Sequence, residues 1–577
     1  MKEALLKISR NFPAEEAELI KQNFEKISGH PISFKVETDD SLIGGFCVYM
    51  DGKIYDAAYK TQLQKIHDRI DEVISDSPQG INEFIGKLLS SYKTDPEVYD
   101  YGTAFSCADG IVSVKGLSSS RYGELLEFEG KEYGIAIELH EEGVGAVMLS
   151  KESNVVPGDV VRGTGRVADI CTGPKILGRV IDPIGRPLDG RPLPDTERRN
   201  IECPAPTIMQ RKPVSKPLMT GVLSVDSMIP IGRGQRELII GDRQTGKTTL
   251  ALSAMINQKK DDVLCVYCAI GQKASTIRRV MQKLKDSNSL QNTVIVATTA
   301  DDSACMQYLT PYAACAVAES FMYQGKDVLI IYDDLTKHAA AYRSMSLLLR
   351  RPSGREAYPG DVFYLHSRLL ERAASLSDEM GGGSMTALPI IETMSGDISA
   401  YIPTNVISIT DGQIYLETEL FNSGVRPAVN VGLSVSRVGR SAQNKAMKDV
   451  SQSLRLELAQ YRDTAVFAQF GADIDKKTLD LLKRGERLTE ILKQDQDEVL
   501  SLGMQVALLL AYKNDGFLTI DKKRVCEARK KLLAYIDVRG SGTIHSINTS
   551  GEMTESDRKI LEDIISDFFE EYSDAKH

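Results

Sequence analysis

The sequence predicts a multidomain chain in which an α+β module, a small β-barrel, an α/β domain on a parallel sheet and a C-terminal α-helical bundle follow one another. Three observations predict it. At 577 residues the chain exceeds what one hydrophobic core organises, and length alone implies roughly three to five domains. The spacing of apolar residues changes character along the chain, from mixed helix and strand, to short strands with glycine turns, to alternating strands and helices, to helices alone. One glycine-rich string, GDRQTGKTTL at Gly241–Leu250, joins the apolar run RELII to the helical ALSAMINQ.

Residues 1–70 read as helix, strand, turn, strand, helix in PAEEAELIKQNFEKISG, ISFKVETD, GGFCVYMDGKIYD and YKTQLQKIHDRID. Alternating strands flank Asp51 and Gly52, which make a hairpin turn. Residues 71–100 read as a linker with a helix whose Ile81, Phe84, Ile85, Leu88 and Leu89 recur at helical spacing. That stripe is either an ordinary intradomain face or a docking surface for another subunit. From Tyr101 to Asn200 short strands alternate with glycine turns, and 101–170 is assigned to a β-barrel. After the proline-rich ECPAPTIMQRKPVSKP, the strands RELIIG, VLCVYCAIG, TVIVATTA and DVLIIYDDL alternate with helices, so 171–440 forms a covered, mostly parallel sheet. Helices fill 441–536, through KAMKDVSQSLRLELAQYRDTAVFAQF, KTLDLLKRGERLTEILK and EVLSLGMQVALLLAYK. Residues 537–577 form an acidic tail ending in an amphipathic helix, with no role assigned.

Hydrophobic content of 42% and charged content of 26% are ordinary for soluble globular domains. Lys and Arg total 70 against 80 Asp and Glu, so no global basic field recruits nucleic acid. No apolar run approaches the ~20 residues that cross a bilayer, and no signal-peptide core precedes the first acidic cluster. The expectation is a cytoplasmic protein that meets a membrane only through a partner. Nine dispersed cysteines point to reduced thiols. Only CVYC has metal-like spacing, and in a strand Cys265 and Cys268 face opposite ways, which favours core thiols over zinc.

The string at Gly241 fits a phosphate-binding loop, with Gly241, Gly246, Lys247 and Thr248 at the fixed positions. Glycines let backbone N–H groups surround phosphate oxygens, and the following helix presents its positive end to them. Lys247 would reach the terminal phosphates, and the Thr248 hydroxyl would ligate Mg²⁺. In VLIIYDD, Asp333 closes an apolar strand where it could hold the Mg²⁺ hydration shell, with Asp334 as competitor.

Together GDRQTGKT, AIGQKAST, LIIYDDLTKHAAAYRSMSLLLRRPSGREAYPGDVFYLHSRLLERAA, VISITDGQIYLE and VRPAVNVGLSVSRVG resemble the alpha subunit of rotary F-type ATP synthases, from about Tyr101 to Gly516. The α/β domain is then RecA-like. Residues DDSLIGGFCVYMDGKIYDAAYKTQLQKI, with Gly44, Gly45 and Asp56, are similar to the C-terminal domain of the delta subunit of the same machine. The chain thus resembles a delta–alpha fusion, without the family's usual order of a delta helical domain first.

The resemblance implies ATP or ADP with Mg²⁺ as ligand, an alternating hexamer with beta subunits around a gamma shaft, and peripheral-stalk b and delta components as further partners. It implies a peripheral place on the cytoplasmic face of a bacterial membrane. Contacts to the phosphates fall to Gly241, Asp242, Arg243, Gln244, Thr245, Gly246, Lys247 and Thr248, and those to the adenine to Arg426, Pro427, Gln494 and Gln496. Gln272 stands where the beta subunit has its catalytic glutamate, and an amide has no useful basicity near neutral pH. The site should therefore hold its nucleotide without turning it over. Arg437, with Ser434 and Ser408, should act in trans on the neighbouring catalytic site, where a guanidinium stabilises charge on transferred phosphoryl oxygens. The alternative is a self-sufficient hexameric ATPase of the secretion or helicase type, which would need an acidic base near position 272. A scaffold without nucleotide runs against the intact Lys247, Thr248 and Asp333.

Overall fold

The computed structural model describes residues 2–63 and 97–574, apart from residues 11, 41, 62, 142, 152, 195, 260–261 and 469–475. The helical stripe expected at Ile81–Leu89 lies outside the described residues.

Strand β1 (Lys2–Ile8) pairs in parallel with β2 (Ile32–Thr38) and antiparallel with β3 (Phe46–Met50). A parallel neighbour needs a crossover, and helix Ala14–Ser28 supplies it. Chain direction then reverses at Asp51 and Gly52, both at positive φ, into β4 (Lys53–Asp56). β1 is an addition to the expected pattern. It buries Ala4 and Leu6 on one face against Ala17 and Phe24 of the helix, with Val48 and Met50 completing a small core.

Six antiparallel strands form the barrel: β5 (Glu97–Ala108), β6 (Ile111–Gly116), β7 (Glu124–Phe128), β8 (Glu132–His140), β9 (Gly143–Met148) and β10 (Val160–Val167). β10 pairs with both β7 and β5, which closes the cylinder around Val112, Val114, Leu126, Phe128, Met148 and Val161. The barrel starts earlier than position 101. Glu97–Asp100, assigned above to the linker, are strand because they pair with β4 of the N-terminal module. Module and barrel therefore share one ten-stranded sheet.

The α/β domain is built on an eight-stranded sheet in the order Val180–Ile181, Thr293–Thr299, Leu264–Gln272, Asp327–Asp333, Ser384–Thr393, Leu238–Asp242, Gly412–Leu416 and Val435–Ser436. All its pairings are parallel except the last. Alternate residues of each strand feed cores on opposite faces. Leu329 and Ile331 pack towards helix Lys247–Gln258, while Val328 and Ile330 pack towards helix Ala304–Met322. Cys265 and Cys268 divide the same way, and both are free buried thiols.

Helices Lys445–Ser451, Leu454–Ala468, Lys476–Ile491 and Leu502–Lys513 begin the C-terminal bundle. The acidic tail assigned to 537–577 is not separate from it. Helix Val525–Arg539 runs through the supposed boundary, and helices Ser541–Ser550 and Glu555–Asp574 place Ile547, Leu561, Ile565 and Phe568 in the same core as Val506 and Leu509. An apolar stripe that long must be covered, and the bundle covers it. Among the described residues no helix is long and apolar enough to cross a membrane.

Candidate functional site

Strand Leu238–Asp242 delivers the chain to the phosphate-binding loop, and helix Lys247–Gln258 leads away from it. A Cβ on Gly241 would lie 2.3 Å from the Leu416 carbonyl oxygen, so the strand packs this closely only because position 241 has no side chain. Gly246, at φ 98°, makes the left-handed turn into the helix. Beyond the loop opens a cavity of about 860 Å³, lined at this end by Arg243, Gln244, Thr245, Gly246, Lys247 and Thr248. Lys247 is buried, and its Nζ donates to the carbonyl oxygens of Gly241 (2.9 Å) and Asp242 (2.6 Å). Burial lowers its pKa below the usual lysine value, against the opposing charges of Glu392, Asp334, Asp333 and Asp242.

The Asp242 side chain leaves the cavity. It accepts from Thr393 Oγ1 (2.6 Å), Gly396 N (2.8 Å) and Thr418 Oγ1 (3.0 Å). It therefore braces the strands on either side of the loop, and its expected phosphate contact is corrected to a positioning role; only its carbonyl reaches Lys247.

Asp333 is the centre of the polar network opposite. Its Oδ2 accepts from Thr248 Oγ1 and from Tyr267 OH, both at 2.7 Å, and its Oδ1 accepts from Gln272 Nε2 at 3.0 Å. A hydroxyl and a carboxylate held together beside a buried lysine are the hard oxygen donors that Mg²⁺ takes, so the residues present fit that ion. Asp334 points elsewhere. It caps helix Leu335–Leu348 by accepting from Lys337 N at 2.8 Å, and burial pushes its pKa up to about 7. The end of the strand separates the two neighbours: Asp333, its last residue, lines the cavity, and Asp334, the cap of the next helix, does not.

At the far end the cavity is lined by Arg426, Pro427, Gln494 and Gln496, as the sequence motifs imply, together with Val222 and Phe421. The Arg426 guanidinium lies over the Phe421 ring at 4.3 Å. Gln494 is corrected. Its Oε1 accepts from Leu223 N (2.9 Å) while its Nε2 donates to the carbonyl oxygens of Gly221 (2.7 Å) and Glu498 (2.8 Å), so its amide is spent joining the helical bundle to the α/β domain. Gln496 stays exposed, 3.4 Å from Thr249 Oγ1 across the cavity rim. Sequence motifs missed Glu392, which is level with Gly241 on the adjacent strand, and Lys273 and Arg279 on the wall. Arg279 lies one turn before Lys283, which pairs with Asp497 at 2.8 Å.

Arg437 stands elsewhere, at the end of the edge strand Val435–Ser436. Its backbone N donates to Asp411 O at 2.8 Å, whereas its exposed guanidinium makes no hydrogen bond or ion pair among the described residues. Ser408 is also exposed, on helix Tyr401–Ile409, with its hydroxyl donating to Asn405 O at 2.7 Å. Ser434 is corrected: fully buried, its Oγ donates to Asn430 O (2.6 Å) and accepts from Tyr415 N (2.9 Å), so its hydroxyl is engaged within this chain, where it shapes the turn before Arg437.

Four family models match the chain in turn: the ATP synthase delta (OSCP) subunit at residues 2–70, then the β-barrel domain (98–165), the nucleotide-binding domain (221–436) and the C-terminal domain (443–568) of the ATP synthase alpha/beta family. The ATP synthase subunit alpha of Acetivibrio thermocellus is 52% identical over 86% of this chain and 99% of its own length. The corresponding subunits of Caldanaerobacter subterraneus subsp. tengcongensis and Clostridium botulinum are 53% and 51% identical, over 86% and 85% of this chain and 98% of their own lengths. The chain belongs to the ATP synthase alpha/beta family, among its alpha subunits, and carries a delta (OSCP) domain ahead of the barrel.

Proposed function

We propose that this alpha subunit holds Mg-ATP or Mg-ADP without hydrolysing it and completes the catalytic site of a neighbouring beta subunit. One observation carries the reading. The cavity contains the phosphate loop, Lys247 and the Thr248–Asp333 oxygen pair, while the position of a base is filled by Gln272, whose amide is tied to Asp333. Bound Mg²⁺ would neutralise phosphate charge beside Thr248 and Asp333. Lys247 would turn from its loop carbonyls to the terminal phosphates, and Phe421, Pro427 and Arg426 would enclose the base.

At the other edge, Arg437 would stabilise charge on phosphoryl oxygens of the neighbour's nucleotide, since its exposed guanidinium makes no hydrogen bond or ion pair among the described residues. In the assembled enzyme this subunit would alternate with beta around gamma. Its N-terminal module would engage the b and delta components of the peripheral stalk at the cytoplasmic face of a bacterial membrane.

A second reading, a self-sufficient ring ATPase, draws on Glu392 as a carboxylate at the phosphate end. Turnover by the purified chain decides between them. Negligible hydrolysis with retained Mg-ATP binding supports the holding role. Turnover of order 1 per second, abolished by Glu392→Gln, would replace it with the ring ATPase.

A further inference from the structure

We infer that β5 is a docking strand: the N-terminal module is fastened to the barrel by strand pairing and a buried Asp56 hub, and stays seated without the covalent connection through residues 64–96. The first half of the joint is backbone. Lys53, Ile54, Tyr55 and Asp56 pair antiparallel with Asp100, Tyr99, Val98 and Glu97, and Tyr101 N donates to Gly52 O at 3.0 Å. Apart, the two strands would each present open N–H and C=O groups; together they close a sheet that runs from the module into the barrel.

A ladder this short is weak alone, and side chains reinforce it. Asp56 is 8% exposed, and its carboxylate gathers four donors. Within the module, Ala58 N (2.8 Å), Thr61 Oγ1 (2.9 Å) and Cys47 Sγ (3.3 Å) donate to it. The fourth donor, Tyr99 OH at 3.1 Å, comes from β5. The Tyr99 ring in turn lies 3.7 Å beneath the guanidinium of Arg162, on β10. Asp56, Tyr99 and Arg162 thus form a continuous link from the module's last strand to the strand that closes the barrel. Tyr49 of β3 adds an edge-on contact with Tyr101 of β5 at 5.3 Å.

The partner of this docking strand is the module itself. A force on the module would reach the barrel through the hydrogen-bonded strands β4 and β5.

The test uses the full-length chain with a protease site introduced between residues 71 and 95, cut to completion and passed over a sizing column at micromolar concentration. The fragments should co-elute, with the amides of Val98–Tyr101 still protected from hydrogen exchange. Separate elution of two folded fragments would overturn the inference.

In the cut chain, Tyr99→Phe should speed release of the module about ten- to a hundredfold, as expected for one lost hydrogen bond to a buried carboxylate. Val98→Pro and Tyr99→Pro supply a second arm, because N–H groups of an antiparallel strand point alternately to the two sides, so one of these prolines must remove a donor to β4. One of the pair should release the module while ATP binding elsewhere in the same protein reports that the chain is folded. Retention of the module by both proline variants would show that the ladder does not hold it.

Discussion

The phosphate end of the cavity and the Arg437 edge treat their charged groups in opposite ways. Lys247 and Asp333 are buried and fully engaged, the lysine with two loop carbonyls and the carboxylate with Thr248, Tyr267 and Gln272. Arg437 is exposed, and its guanidinium makes no hydrogen bond or ion pair among the described residues. A site that serves its own chain is preorganised inside it, so that ligand groups exchange with hydrogen bonds already in place. On the proposed reading, Arg437 serves a neighbour: its backbone is held at Asp411 while its side chain would find its partner across the interface.

The largest effect that sharpens this contrast is expected at Arg437. In a complex reconstituted with beta and gamma subunits, Arg437→Ala should lower multisite turnover by about 10³- to 10⁵-fold, while the nucleotide affinity of the alpha subunit stays within twofold of normal, ~0.4 kcal/mol. Arg437→Lys should also fail to restore the rate, because an ammonium lacks the planar fork. Normal turnover with lost affinity would erase the distinction between the two regions.

Next is Lys247→Ala, which should weaken Mg-ATP binding to the isolated chain by about a hundredfold, on the order of 3 kcal/mol for a charged contact made in a buried site. Equilibrium binding with a fluorescent ATP analogue reads this directly. Unchanged affinity would mean that the loop is not the site.

Asp333 and Asp334 allow the comparison to be sharpened within two residues. Asp334 has its pKa raised by burial to about 7, against the ordinary value of 3.8, so the folded state keeps a proton that the unfolded chain has lost. Its contribution is therefore complete below about pH 4 and is lost as pH rises through 7, by a few kcal/mol in all. Asp334→Asn should remove this slope, and the difference in Tm between variant and parent should grow from pH 4.5 to 7. A constant difference would show that Asp334 is ionised in the fold.

The smallest effect is expected at Arg279, which is exposed on the cavity wall and makes no ion pair among the described residues. Arg279→Ala should weaken nucleotide binding only about three- to tenfold, as one screened charge, whereas Arg278→Ala, on the same helix but outside the lining, should not. The Arg279 effect should shrink in high salt. Equal effects at both positions would assign it to the helix rather than to the ligand.

Much of this was legible in the chain itself. The loop from Gly241 to Thr248 could be placed because a glycine pattern, a strand before it and a helix after it constrain each other within a few residues. Asp333 was legible for the same reason, being the last residue of an apolar strand. Gln494 and Ser434 were not. Motif resemblance placed both near a nucleotide, but a polar side chain turns towards whichever donors the packed backbone offers, and for these two the offers came from Gly221, Leu223, Asn430 and Tyr415. Glu392 and Arg279 carried no local signal, since each reaches the cavity from an element whose neighbour lies far along the sequence.

Local pattern by itself determined the run of domains and the phosphate loop, because each rests on periodicity or on residues adjacent in the chain, while Gln272 and Arg437 were singled out by motif resemblance. Only the tertiary structure decided that the N-terminal module and the barrel share one sheet, that Asp334 turns to cap a helix, and that the acidic tail completes the helical core. Strand partners, side-chain direction and burial are settled between segments distant in sequence. Their free energy depends on which surfaces meet, and that is fixed only when the whole chain has packed.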